Sequence, residues 1–322
     1  MTSAAIIITL DYNDHPTISQ KNRNTSTIPM MNYVFNTLGY SEIVVLADTP
    51  GYIPPTVNNV RNVVRTYTRH KKNVAVYLSC ETVLKSPSTS LYPQNVDAVI
   101  VLSDGEIRDY EFRNDMKQFG NRGDVCRRIV FLDIQNANGV ADEPHMHVIE
   151  SPTTSARYAY FTGFEQLGST SELPHSPETV DTVWVCPYRN SQWDVVPIIQ
   201  YGHTRATPFA HALFDWAMYI GTGIYTGSRN WGQNIRTISQ YNSGARGGYQ
   251  YSWTDMVNTM IYYYNRMRGQ VPKENLPDME ISLVTPTRIQ CDTLARPSFP
   301  NMYNGVMLFL IRLRGIWNFF SR

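Results

Sequence analysis

The chain has 322 residues, of which 42% are apolar and only 17% are charged, against about 25% charged in an average soluble protein. Its 28 Lys and Arg nearly balance its 27 Asp and Glu, for a net charge of +1. This excludes intrinsic disorder, which needs few apolar residues and a net charge that keeps the chain open. It also excludes a nucleic-acid partner held by a basic surface, and it favours association over a dilute monomer.

Taken in chain order, the apolar run at 4–10 has no basic residue before it and no small-residue cleavage site after it. It reads as a buried strand rather than a signal peptide. A helix is expected at 30–38, stopping at Gly39, and a second strand at 42–48. A helix of mixed apolar and basic residues follows at 58–69. Further strands are expected at 73–79, 97–102, 128–133 and 182–186. Helices are predicted at 207–220, with Pro208 in the first turn, and at 252–268, with Ser252 and Asp255 as a capping box. A glycine-rich loop joins these two helices over 221–248, and a last strand lies at 279–284. Continuous apolar strands alternating with helices predict an α/β fold with a mostly parallel sheet covered on both faces.

No run approaches the roughly 18 apolar residues of a membrane span. The four cysteines, Cys80, Cys126, Cys186 and Cys291, form no C-x-x-C pair, which does not suit a secreted disulfide scaffold. The expected setting is cytoplasmic. The domain division read from the pattern is a single α/β domain over residues 1–300 and a hydrophobic arm over 301–322. In that arm Phe309, Leu310, Leu313, Trp317 and Phe320 share a stripe at helical period. Such an arm needs cover: its own core, a neighbouring subunit, or, less favoured, a membrane surface with Arg312, Arg314 and Arg322 at the headgroups.

Several segments in this order resemble the caspase and metacaspase superfamily of cysteine peptidases. They are the strand ending Leu46-Ala47-Asp48, the helix start with Pro55, Thr56 and Asn59, and the segment 104–112, which is similar to the metacaspase D-G-x-I-x-D-D-E-L. The segments 206–213 and 251–256 resemble the helices that follow. The resemblance implies a caspase-like, mostly parallel sheet of about six strands flanked by helices. It also implies a catalytic His just past the third strand and a nucleophilic Cys past the next central strand, because the reaction needs a thiolate with an imidazole to manage its proton.

Neither residue is where the resemblance puts it. The His position falls on Glu81 by the metacaspase pattern or on Cys80 by the caspase pattern. The Cys position, two residues after Asp133, is Gln135, and a carboxamide is no nucleophile here. The expectation is a pseudoenzyme without cofactors. The paired acids that hold calcium in metacaspases correspond to Asp109-Tyr110, so Asp109, Glu111 and Asp115 are minor candidates for a cation and no metal is expected. Association is then the expected function: a self-assembling structural protein of the lattice, shell or occlusion-body type, as in a viral protein, with homo-oligomers as its form. The alternatives are a regulatory pseudo-protease that binds an active caspase-like peptidase, and a peptidase whose displaced dyad pairs Cys80 with His145, His147 or His203.

Overall fold

The computed structural model describes residues 3–12, 23–86, 97–118, 126–141, 147–150, 164–166, 180–187, 198–201, 204–222, 253–268 and 281–285. The expected hydrophobic arm, the 223–250 segment, Ser252, Cys291, His145 and His203 all lie outside these residues, as do the side chains of His147 and Asp255.

An eight-stranded sheet organises the molecule, in the order β2-β1-β3-β7-β10-β13-β8-β9. Its first five strands are parallel: β2 (Glu42–Ala47), β1 (Ser3–Thr9), β3 (Asn73–Ser79), β7 (Cys126–Leu132) and β10 (Val180–Cys186). The remaining three are antiparallel: β13 (Ser282–Thr285), β8 (His147–Glu150) and β9 (Phe164–Gln166).

The central strands read as unbroken apolar runs because both faces are covered. In β1, Ala5 and Ile7 join one core while Ile6 and Ile8 join the other. The first core is completed by helices α1 (Arg23–Thr37), α5 (Pro208–Thr222) and α6 (Trp253–Arg268). The second is completed by α2 (Val57–His70), α3 (Asp109–Met116) and the short α4 (Ala137–Ala141).

The α2 helix shows how local sequence sets an element. Thr56 is its N-cap, its hydroxyl accepting the Asn59 N–H at 3.1 Å, and Asp104 accepts the Val57 N–H at 2.7 Å. Both satisfy donors that a helix start leaves open. Val60, Val64 and Thr68, spaced one turn apart, are the buried stripe.

Two expectations need correction. The 97–102 run is a strand, but not of the main sheet. It is β5 (Asp97–Val101), the middle of a separate antiparallel sheet between β4 (Thr82–Lys85) and β6 (Glu106–Arg108). All five residues of β5 are buried, so its apolar run looks like that of a main-sheet strand. The first helix begins at Arg23, seven residues before the expected start, and carries Pro29 inside it. The mostly parallel sheet flanked by helices is as expected, and the short β8 and β9 extend it beyond β13 to eight strands. A two-stranded hairpin, β11 (Ile199–Tyr201) with β12 (Thr204–Ala206), precedes α5. No helix among the described residues is long and apolar enough to cross a membrane.

Candidate functional site

The carboxyl ends of β1, β3, β7 and β10 form one rim of the sheet. From β1 the chain runs outward to β2 and then returns across β1 to β3. This reversal makes the β1/β3 junction a topological switch point, where open α/β sheets bind ligands. The residues at the expected dyad positions sit on this rim. Leu78 of β3 is in register with Leu132 of β7, so Cys80 and Glu81 emerge beside Gln135, and the Thr82 hydroxyl donates to the Gln135 carbonyl at 2.6 Å. The two positions that the resemblance singles out are thus brought together, and they hold Cys80, Glu81 and Gln135.

All three are buried: Cys80 is 1% exposed, Gln135 6% and Glu81 7%. Cys80 belongs to the core on the α2 face. Two histidines have described side chains: His70 ends α2 just before β3 begins, at the end of the sheet away from the rim, and His211 lies on α5, whose apolar residues pack on the opposite face. The sheet therefore separates Cys80 from His211. Cys186, which closes β10, is fully buried, and burial pushes its thiol well above the usual range. A thiol kept protonated in this way is a poor nucleophile.

Asp133 is what holds the rim together. One of its carboxylate oxygens accepts hydrogen bonds from Tyr77 at 2.5 Å, from Ser79 at 3.5 Å and from the Thr207 hydroxyl. Tyr77 and Ser79 belong to β3, while Thr207 immediately precedes α5 and also accepts the Ala210 N–H at 3.0 Å. The carboxylate therefore joins β3, β7 and the start of α5, where the helix dipole favours negative charge. Sequence reading matched Asp133 to the family pattern but did not see its partners. They lie 56 and 74 residues away, and no spacing rule reaches that far.

Two residues on this rim have left-handed backbones, Tyr12 (φ 55°) after β1 and Asn136 (φ 51°) after Gln135. Nothing in the sequence singles out Tyr12, the second residue past the first apolar run. Asp48 accepts the backbone N–H groups of Asp11 at 2.8 Å and Tyr12 at 2.6 Å, together with the Asn24 amide at 2.6 Å.

The acidic candidates are all committed to arginines. Asp109 pairs with Arg113 at 3.0 Å, Glu111 with Arg61 at 2.7 Å, and Asp115 with Arg61 at 2.9 Å and Arg65 at 2.6 Å. Burial raises the Asp109 carboxyl above its ordinary value, opposed by the Arg113 charge. Arg113 also donates to the Gly139 and Val140 carbonyls at 3.3 and 2.8 Å, so this pair ties α3 to α4. Among the described residues, no group of three or more His, Cys, Asp or Glu is placed to share a metal ion.

Against known proteins, no protein-family model and no curated protein matches the chain. Solved structures are similar, and three of them are as follows. Protein GSU0716 from Geobacter sulfurreducens has a TM-score of 0.51 and 14% identity, over 93% of this chain and 99% of its own. Pro-sf-caspase-1 has a TM-score of 0.41 and 11% identity, over 88% of this chain and 85% of its own. Caspase-1 from Spodoptera frugiperda has a TM-score of 0.35 and 12% identity, over 67% of this chain and 70% of its own. At these identities the likeness is one of fold. The fold is mixed α/β with a mostly parallel five-stranded core flanked by helices, which is the architecture that the caspase-like reading calls for.

Two predictions follow from this geometry. Thr207→Val removes both the donor to Asp133 and the cap of α5, and it should lower the unfolding free energy by about 2–4 kcal/mol. Thr207→Ser should recover most of the loss; urea titration measures both.

The second concerns His211 and Asp215, one turn apart on α5. Burial lowers the His211 imidazole from 6.5 to about 4 and raises the Asp215 carboxyl from 3.8 to about 7, the latter opposed by Arg266 of α6. Tyr201 also faces Asp215, and its hydroxyl is raised by burial and by that carboxylate. A buried neutral His loses stability as pH falls from 6.5 to about 4, because only the unfolded chain takes up the proton. A raised Asp loses stability as pH rises from 3.8 to about 7, because only the unfolded chain ionises. Between about pH 4 and 6.5 the two tilts oppose each other. Asp215→Asn should expose a loss of stability on acidification across that window, and His211→Gln should expose a loss as pH rises from 4 to 7. Chemical denaturation across a pH series reads both slopes.

Proposed function

We propose that this chain is a non-catalytic caspase-like protein that acts through protein–protein contacts, principally as a self-assembling structural protein. The observation that carries the reading is the content of the two expected dyad positions. The positions lie side by side on the rim, but they hold Cys80, Glu81 and Gln135, all buried, with the Gln135 carbonyl engaged by Thr82. A cysteine peptidase needs an accessible thiolate beside an imidazole. Here the nearest thiol is a core residue; of the two histidines whose side chains are described, His211 packs on the other face of the sheet, and His70 closes α2 just before the start of β3, at the end of the sheet away from the rim.

Composition supports association as what remains. A net charge of +1 with 17% charged residues gives copies little reason to repel one another. The 21 tyrosines supply large contact area at low entropic cost. The apolar stripe of Phe309, Leu310, Leu313, Trp317 and Phe320 is the sequence element that a neighbouring copy would cover.

The test is sedimentation velocity of the full chain beside one that ends at Tyr303, at micromolar concentration and physiological salt. The reading expects concentration-dependent assembly of the full chain and its loss in the shorter one. A stable, dilute monomer of the full chain would overturn the association reading, and unchanged assembly of the shorter chain would remove the arm from it.

A further inference from the structure

Tyr12 follows β1 and crosses the switch point. Its hydroxyl accepts the Glu81 N–H at 2.8 Å and donates to the Val101 carbonyl at 2.7 Å. It thereby joins three pieces of chain: the end of β1, Glu81 two residues past β3, and the end of β5 in the smaller sheet. Tyr12 is 3% exposed, and its ring belongs to the apolar cluster that includes Ile8, Leu10, Leu46, Cys80 and Leu102. The residue takes a left-handed backbone (φ 55°) to get there, a conformation that costs a bulky side chain energy. Asp48 holds that backbone by accepting the Asp11 and Tyr12 N–H groups.

We propose that the buried slot beside the carboxyl ends of β1 and β3, between Glu81 and the end of β5, is a binding site for a hydroxyaryl group, filled in this chain by its own Tyr12. The position is the one where an open α/β sheet takes its ligand. The polar end of the site is a backbone donor and a backbone acceptor set so that one hydroxyl satisfies both, as a phenol does and a hydrocarbon cannot. The rest is apolar, which suits a flat ring. The strained backbone is the cost of supplying the occupant from within the chain, and Asp48 offsets it. The contact acts as an intramolecular plug: a phenolic ligand, or a tyrosine from another protein, enters only when Tyr12 leaves. The inference goes beyond the association reading, and its test does not depend on whether copies associate.

The experiment uses the full chain as Tyr12→Gly, which removes the ring and relieves the left-handed strain, with p-cresol as probe and toluene as its hydroxyl-free counterpart. A ligand that binds only the folded state raises the unfolding midpoint with its concentration, and an emptied apolar cavity can bind a small aromatic molecule. Tyr12→Gly should unfold at a lower temperature than the wild type. Saturating p-cresol should raise its midpoint by several degrees, toluene should raise it less, and neither should move the wild type at the same concentration. A folded Tyr12→Gly that ignores p-cresol, or that responds equally to toluene, would overturn the proposal. Should Tyr12→Gly fail to fold, Tyr12→Phe keeps the ring and removes only the hydroxyl. It should unfold at a lower temperature than the wild type, because the buried Glu81 N–H and Val101 carbonyl lose the group that bridges them. A Tyr12→Phe midpoint equal to that of the wild type would show that the pair does not select a hydroxyl, and the proposal would fall.

Discussion

A single buried carboxylate fixes the geometry of the rim. Asp133 stands at the end of β7 and gathers the hydroxyls of Tyr77, Ser79 and Thr207 on one oxygen. A carboxyl group taken out of water is costly unless its hydrogen bonds are replaced, so these donors are constrained as tightly as the group they serve. Through Tyr77 and Ser79 the carboxylate orients the end of β3, and through Thr207 it places the start of α5. The adjacent residues inherit that order: Cys80 and Glu81 follow Ser79, and Ile134 and Gln135 follow Asp133. The rim is thus well organised at the positions where a cysteine peptidase would carry its chemistry, while the residues there are of other types.

The same division between frame and chemistry decides what could be read from sequence. Strands β1, β3, β7 and β10 were legible because burial on both faces writes itself as an apolar run, and the half-buried edge strand β2 because Ile43 to Ala47 stay apolar. The 97–102 run shows the limit of that signal. It predicts burial correctly, but burial against a main sheet and burial within a small three-stranded sheet leave the same pattern, and only the pairing with Thr82–Lys85 and Glu106–Arg108 separates them. The start of α1 was hidden because an interior Pro29 reads as a boundary, although the helix accommodates it.

The site was legible in part. Cys80, Glu81 and Gln135 could be named because the resemblance places its two catalytic positions just past strands that were themselves legible; that these ends lie side by side is a finding of the structure. The residues that build the rim could not. Tyr12 meets Glu81 across 69 positions, and Thr207 meets Asp133 across 74. Such pairs are products of the fold, with no local spacing to announce them. In the acidic run at 109–115, whose Asp109, Glu111 and Asp115 were only minor candidates for a cation, sequence could not show the partners: each is met by an arginine, Arg61 and Arg65 from α2 and Arg113 from α3 itself. The low overall charge does not mean that charge is idle, since these pairs tie α2 to α3 and α3 to α4.

The central claim is that an ordered rim of caspase-like form carries no cysteine-peptidase chemistry. The most direct measurement is hydrolysis of reporter peptides with Arg, Lys or Asp before the scissile bond, by the purified full chain and by its Cys80→Ala variant. The account predicts that both are indistinguishable from buffer. Turnover by the wild type that disappears in Cys80→Ala would contradict it.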